Sequence, residues 1–423
     1  MTAVNRRNAM EHSGNNLRID GARLWDSLME MAKIGATEKG GVRRLALTDL
    51  DRQSRDLFRR WCEDAGCTVT HDAMGNMFAR RPGRDESRPP IVTGSHLDSQ
   101  PTGGKFDGAY GVLAGLEVVR ALNDAGLETE APIEVAVWTN EEGSRFAPAM
   151  VGSGVHAGIF TLDQAHAIAD MDGKTMGEEL ERIGYRGEGC GGREFGAYFE
   201  AHIEQGPILE AAKLPIGIVT GAQAQRWYEI DVTGQESHAG PTPMAVRKDA
   251  LVGASALVLA VNRIGHDFQP GACATVGMIQ SSPNSRNVIP GKVFLTVDFR
   301  HPDDGRLAEM DKALRQSAAE LATIHKVEIE VTEIWSFAAT HFDPKCVAAV
   351  RAGAEAAGLA YMDIVSGAGH DAVYMAQVAP AAMIFVPCED GISHNEIENA
   401  TPDDIAAGCQ VLLHAMLERA GGH

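Results

Sequence analysis

Histidines and carboxylates recur in this chain just after short apolar runs. Ser95-His96-Leu97-Asp98 follows the run at 90–94, Asn140-Glu141-Glu142-Gly143 the run at 133–139, and Gly391-Ile392-Ser393-His394 the run at 382–386. Asp107 stands in a glycine-rich stretch eleven residues after His96, and His202 sits in Glu200-Ala201-His202-Ile203-Glu204-Gln205-Gly206-Pro207. Open α/β sheets bind ligands beyond the carboxyl ends of their strands, so three strand ends deliver these groups to one rim. Asp98, Asp107, Glu141 and Glu142 gathered there would repel one another and resist ionisation. A divalent cation removes that cost. Imidazole plus carboxylate suits a borderline ion such as zinc, and five ligands sharing one carboxylate hold two ions about 3.5–4 Å apart.

Taken singly, each residue has a plainer reading. A lone histidine near a strand end is more often a hydrogen-bonded structural residue, and Asn-Glu-Glu a solvated loop. It is their coincidence on three strand ends that favours metal. Other hydrolytic designs are missing: there is no G-x-S-x-G elbow, P-loop or H-E-x-x-H. Cys388 lies near His394, but its apolar strand marks a core thiol.

The elements that position these groups follow from length and pattern. At 423 residues the chain has room for two or three domains. With 38 basic and 58 acidic residues its net charge is −20, which disfavours nucleic acid and anionic membrane as partners. Seven cysteines, odd in number and without C-x-x-C, read as free thiols in a reducing cytoplasm. The first sixteen residues lack the apolar stretch of a signal peptide, and no run is long enough to span a membrane. Helices are expected at 21–34 and from Thr48, where Asp51 completes a capping box. Strands at 90–94, 133–139 and 382–386 alternate with helices at 110–125 and 403–418, which means an α/β domain with a largely parallel sheet. Between them, strands at 226–232, 273–280, 292–300 and 327–331 and helices at 249–264 and 307–326 give the order β-α-β-β-α-β of a ferredoxin-like insert.

Eight motifs resemble a known family: GSHLDSQPTGGKFDG (94–108), WTNEEGSRFAPAMVGSG (138–154), HIEQGPILE (202–210), HAGPTPMAVRKDAL (238–251), PNSRNVIPG (283–291), DFRHP (298–302), SGAGHDA (366–372) and GISHNEIE (391–398). The chain is similar to the amidase/hydantoinase/carbamoylase branch of the dinuclear zinc aminoacylase and carboxypeptidase-like hydrolases. That branch includes N-carbamoyl-L-amino acid hydrolases, β-ureidopropionases and allantoate amidohydrolases. The resemblance implies a catalytic α/β domain of residues 1–221 and 336–423, with residues 222–335 as an inserted lid and dimerisation domain. It implies two divalent ions per subunit, zinc first, with manganese, cobalt or nickel as alternatives. His96, Asp107 and His202 would hold one ion; Asp107 as a bridge, Glu142 and His394 would hold the other. Asp98 would orient His96, and Glu141 would be the general base. From the insert, Arg300 would take the substrate carboxylate, while Asn287 and His238 would bind the polar end and the oxyanion. Gln205 and the Gly369-His370 turn match positions near the substrate.

Taken alone, Arg300 reads as a surface arginine, His238 as a turn residue before Gly240-Pro241, and His370 as a capping or core histidine. The implied reaction is hydrolysis of the carbamoyl C–N bond of an N-carbamoyl-L-amino acid or N-carbamoyl-β-alanine, giving amino acid, carbon dioxide and ammonia. Allantoate is the alternative substrate. An aminoacylase or dipeptidase is disfavoured by the short His96–Asp107 spacing and by His202. A binding protein built on a dead hydrolase would have lost a ligand or the base, and none is missing. A cytoplasmic homodimer, paired through the insert, completes the expectation. The insert's helix offers Leu251, Leu257 and Leu259 for that pairing or for its own sheet.

Overall fold

The computed structural model describes residues 17–189 and 191–421. The first sixteen residues and Cys190 lie outside the described residues. The chain forms two compact units: one runs to Gly221 and resumes at His341, the other is Ala222–Thr340.

The first unit is built on a nine-stranded sheet. Its strands are β1 (Thr68–His71), β2 (Met77–Arg81), β3 (Ile91–His96), β4 (Ile133–Trp138), β5 (Ala197–Ile203) and β6 (Ile216–Ala222). Numbered after six strands of the second unit come β13 (Thr340–His341), β14 (Tyr361–Ser366) and β15 (Ala381–Val386). Their order is β1-β2-β4-β3-β5-β15-β6-β13, with β14 also on β6. β3 runs parallel to β4 and β5, and β5 parallel to β15. The flanking pairs β1–β2, β2–β4 and β15–β6 are antiparallel. Every residue of the four central strands is buried, the pattern of a sheet covered on both faces. The core joins them to Leu113, Leu116 and Val119 of the helix Ala109–Asp124, Leu412 and Leu413 of Pro402–Ala420, and Leu24 and Leu28 of Gly21–Met31.

The parallel centre matters for chemistry, because the carboxyl ends of β3, β4 and β5 lie side by side. His96 ends β3 and is in register with Trp138 at the end of β4. His202 is the penultimate residue of β5.

One local expectation is corrected. Thr48 does cap the helix Asp49–Asp64, accepting the Asp51 N–H at 3.3 Å. The Asp51 carboxylate does not return to it. It accepts the Leu47 N–H at 2.8 Å and pairs with fully buried Arg55 at 3.0 Å, because the buried guanidinium needs a counter-charge more than the helix end does.

The second unit has β7 (Ala224–Thr233), β9 (Cys273–Ser282), β11 (Lys292–His301) and β12 (Glu328–Phe337) in an antiparallel sheet of order β12-β7-β11-β9. A two-residue ladder joins β8 (Ser237–His238) to β10 (Val288–Ile289). Helices Ala250–Asp267 and Asp304–His325 supply Leu257, Val261, Ile264, Leu307, Met310 and Leu314 to its core. β12 continues past the boundary expected at residue 335, since Trp335 pairs with Trp227 and Phe337 with Gln225. The three leucines of the first helix separate: Leu257 is buried, whereas Leu251 and Leu259 are exposed.

Candidate active site

The site is best built outward from Asp107. Its Oδ1 lies 3.5 Å from His96 Nε2 and 3.2 Å from His202 Nε2. Its Oδ2 lies 3.5 Å from His394 Nε2, which is 3.3 Å from Glu142 Oε2. Two groups result that could each hold an ion, His96–Asp107–His202 and Asp107–Glu142–His394, with one carboxylate common to both. A tetrahedral ion with bonds of about 2.0–2.2 Å separates its ligand atoms by about 3.3–3.6 Å. Three of the four distances fall on the edges of such a polyhedron and the fourth, 3.2 Å, is just short of one.

Protonation supports the fit. His96 Nδ1 is 2.9 Å from the Asp98 carbonyl, and His202 Nδ1 is 2.8 Å from the Ile203 carbonyl. A carbonyl only accepts, so both Nδ1 atoms carry a proton, and both Nε2 atoms are turned to Asp107, free to ligate once an ion displaces any proton they hold. His202 Nε2 also accepts the Gly108 N–H at 3.2 Å. Imidazole nitrogen and carboxylate oxygen at this range share a positive charge, which a proton or a metal ion supplies, and second contacts of this kind fix a metal-binding imidazole.

The electrostatics point the same way. Burial opposes charging His96, but Glu141, Asp107 and Asp98 outweigh it and hold the imidazole well above its ordinary pKa. Burial also opposes ionising Asp107, yet His202, His96 and His394 hold it well below the usual carboxylate range. Glu141 is pushed well above that range by burial, with Asp371, Glu142 and Asp107 adding to the rise. Its Oε2 lies 3.4 Å from His96 Nε2, and it belongs to neither ligand group.

Local backbone makes this packing possible. The Ala109 N–H reaches the Asp107 carbonyl at 2.7 Å across Gly108, whose φ of 65° and ψ of −51° form the rare positive-φ γ-turn. A Cβ on Gly108 would lie 2.4 Å from the His96 ring, so only glycine lets Asp107 and His96 approach.

Asp98 is present, but its contacts differ from expectation. Its carbonyl orients His96, while its carboxylate stays 3.8 Å from that ring. The carboxylate instead accepts the N–H groups of Glu141 and Glu142 at 3.3 and 3.2 Å. Those amides face it because the chain turns back after β4, and ionic acceptors prefer such donors.

Several partners went unread in the sequence. Gln100 donates from its backbone to Glu142 Oε1 at 3.1 Å and from Nε2 to Oε2 at 2.7 Å. Glu398, 1% exposed, accepts the N–H groups of Phe106 and Asp107. Burial beside Asp107 pushes its carboxyl up to about 7. Glu200 accepts Ser95 Oγ and the Ala372 N–H, and Ser153 donates to Asp371. A carboxylate two residues before His202 in an apolar strand was the available signal for Glu200; Gln100 carries none.

Gln205 and His370 join this cluster. Gln205, at φ 58°, donates from Nε2 to Asp107 Oδ2 at 2.8 Å. His370 is buried, bonds Ser366 Oγ through Nε2 at 3.0 Å and packs 4.6 Å from the His202 ring. Gly369 is half-buried in the turn before the helix Asp371–Met375.

The remaining expected residues lie in the second unit. His238 and Asn287 are exposed neighbours across the β8–β10 ladder, where the Ala239 N–H donates to the Asn287 carbonyl at 2.9 Å. His238 Nδ1 accepts the Gly240 N–H. Arg300 lies on β11 and is paired with Asp298 at 2.6 Å.

The model of peptidase family M20/M25/M40 matches residues 92–418. An N-carbamoyl-L-amino-acid amidohydrolase of Rhizobium meliloti is 50% identical over 412 residues, covering 97% of this chain and 99% of that protein. A hydantoinase/carbamoylase family amidase of Burkholderia vietnamiensis superposes with a TM-score of 0.95 at 65% identity, covering 96% of this chain and 98% of the other. A ureidoglycolate hydrolase of Arabidopsis thaliana is 33% identical over 412 residues, 94% of this chain and 86% of its own.

Proposed function

The chain belongs to peptidase family M20/M25/M40, and on that premise we propose that it hydrolyses the carbamoyl C–N bond of N-carbamoyl-L-amino acids. It is a hydrolase of amide C–N bonds in a metal-dependent family. The observation that carries the reading is Asp107, whose two oxygens each face a separate set of ligands at tetrahedral-edge distance while Glu141 stands beside them in neither set. Two zinc ions per subunit suit this donor set, three imidazoles and two carboxylates. Bound there, they would polarise the carbamoyl carbonyl and acidify a water molecule.

The chain's own residues do the rest. Glu141, held high in pKa, accepts the proton of the attacking water and returns it to the leaving nitrogen. Asp98 holds the peptide units of Glu141 and Glu142 so that one side chain ligates and the other stays a base. Gln205 Oε1 is buried without a hydrogen-bond partner among the described residues, which leaves it as an acceptor for a substrate N–H. The Gly369-His370 turn backs the His202 ring. His238 and Asn287 meet the oxyanion and polar end, and Arg300 the carboxylate. The overall balance is one carbamoyl amino acid and water to amino acid, carbon dioxide and ammonia.

A homodimer through the second unit fits its exposed Leu251, Val252 and Leu259 and the exposed Met278 and Ile279 of edge strand β9. A reducing cytoplasm suits its six described thiols, five of them buried and all free. No described helix is long and apolar enough to cross a membrane.

Ammonia release by zinc-loaded protein tests the reading. The panel is N-carbamoyl-L-methionine, its D enantiomer, N-carbamoyl-β-alanine, allantoate and a dipeptide, with Glu141→Gln as control. The expected result is turnover of the L-carbamoyl compound, reduced about 10²–10⁴-fold in the control. Turnover of allantoate alone would move the protein to ureide breakdown.

A further inference from the structure

We propose that Ser393 and Glu398 are positioning residues that tie the loop carrying His394 to the loop carrying Asp107 and so assemble the Asp107–Glu142–His394 ligand set; this rests on the two-ion reading above. His96 and His202 are placed by the ends of β3 and β5, but His394 has no such support. It follows β15 in a stretch, 392–401, with neither helix nor strand, and its side chain is 49% exposed. Of residues 392–398 only Glu398 is buried. The Glu398 carboxyl reaches into the Asp107 loop, where Oε1 accepts the N–H groups of Phe106 and Asp107 at 2.9 and 3.1 Å. Ser393, one residue before His394, completes the tie. Its Oγ lies 2.8 Å from Glu398 Oε2 and 2.9 Å from Asp107 Oδ2, the oxygen that faces His394. Gly104 makes room for the contact, since a Cβ there would overlap the Glu398 carboxyl. Elsewhere the segment is tied at the surface, Glu396 to Lys39 and Asn399 to Glu389.

An exposed histidine on an irregular loop samples many orientations, and ordering it is a cost of binding an ion. The tie meets that cost during folding, which leaves more of the binding energy to affinity. Gln205 Nε2 donates to the same Asp107 oxygen from the loop after β5, so Asp107 keeps a donor without Ser393. Losing Ser393 therefore loosens His394 relative to Asp107 rather than Asp107 itself. The hydroxyl has one proton, and with Glu398 Oε2 the nearer acceptor it can leave Asp107 Oδ2 a lone pair for an ion.

The test is zinc binding to the metal-free full chain, by competition with a chromophoric chelator and with stoichiometry by mass spectrometry. Wild type is compared with Ser393→Ala, Glu398→Ala and Glu398→Gln, and thermal unfolding shows which variants fold. Wild type should bind two ions. Ser393→Ala and Glu398→Ala should weaken one of them about 10–100-fold, the usual effect of removing a support behind a ligand, and leave the other within about twofold. In the His394→Ala background Ser393→Ala should leave the remaining zinc binding unchanged, because the two act through one ligand. Glu398→Gln keeps an oxygen for the two N–H groups and can donate to Ser393 Oγ, so it should bind as wild type does. If Glu398→Ala does not fold, Ser393→Ala carries the same expectations. The inference alone is overturned if wild type binds two ions while the alanine variants weaken neither or both alike, if Glu398→Gln binds as weakly as Glu398→Ala, or if Ser393→Ala weakens the zinc left in His394→Ala. A wild type that binds fewer than two ions overturns the two-ion reading and this inference with it.

Discussion

Replacing Gly108 by alanine isolates the geometry on which the metal reading depends. Two penalties are separable. Gly108 sits at φ 65°, ψ −51° in a γ-turn closed by the 2.7 Å bond from Ala109 N–H to the Asp107 carbonyl. An L residue held there costs about 1–3 kcal/mol. The new Cβ would also lie 2.4 Å from His96 Cε1 and 2.5 Å from both ring nitrogens. Carbon contacts settle at about 3.5–4.0 Å, so the ring must retreat by about 1 Å. That retreat removes the 2.9 Å bond that sets the His96 tautomer and moves Nε2 away from Asp107. Disturbing the support of a ligating histidine costs about 10–100-fold in metal affinity, and moving the ligand itself belongs at the upper end. The expected loss is roughly 100-fold, about 2.7 kcal/mol, at the position holding His96. Zinc competition against a chromophoric chelator, with metal stoichiometry by mass spectrometry, measures it. Gly126→Ala is the control for backbone strain, because Gly126 has φ 59° and nothing within 4 Å of its added Cβ. Wild-type zinc affinity at two ions per chain in Gly108→Ala would refute His96 as a ligand held by this turn.

Three further outcomes are expected. His156, stacked on Phe195 at 4.9 Å, is pushed down to about 4 by burial and by Arg193. The unfolded chain therefore takes its proton first: stability from this group is complete above pH 6.5 and declines by about 3 kcal/mol towards pH 4. His156→Phe should flatten that decline in denaturant titrations at pH 7 and 4.5, and an unaltered pH dependence would sink the assignment. Asp51→Asn strands the fully buried Arg55, which also donates to Gly75 and Thr139, and should cost about 3–5 kcal/mol by thermal unfolding; a loss below about 1 kcal/mol would contradict it. Leu259→Glu, on the exposed face of its helix, should convert a dimer to monomer by light scattering, and an unchanged mass would remove that face from the interface.

Periodicity and strand-end chemistry were legible because both are local. Apolar runs at 90–94, 133–139 and 382–386 read as buried strands, where β3, β4 and β15 lie, and the groups after them follow from chain direction alone. Antiparallel additions at the sheet's flank were not legible: β1 and β2 are short, and Arg80 and Arg81 break the alternation that marks a strand. The reciprocal cap at Thr48 failed for a related reason, since Asp51 had a buried cation to answer that no local pattern reveals.

Residue order alone establishes which residue types stand at the strand ends and the eleven-residue step from His96 to Asp107. It also sets the order of the longer strands and helices, because alternation and helical spacing are properties of neighbouring residues. The rest follows from how segments distant in the chain pack together. The tautomers of His96 and His202, the pairing of Asp98 with two amides rather than with an imidazole, and the grip of Gln100 and Glu398 on Glu142 and Asp107 all depend on how distant loops turn. Hydrogen bonds are directional to within a few tenths of an ångström, whereas hydrophobic patterning specifies only which face is buried.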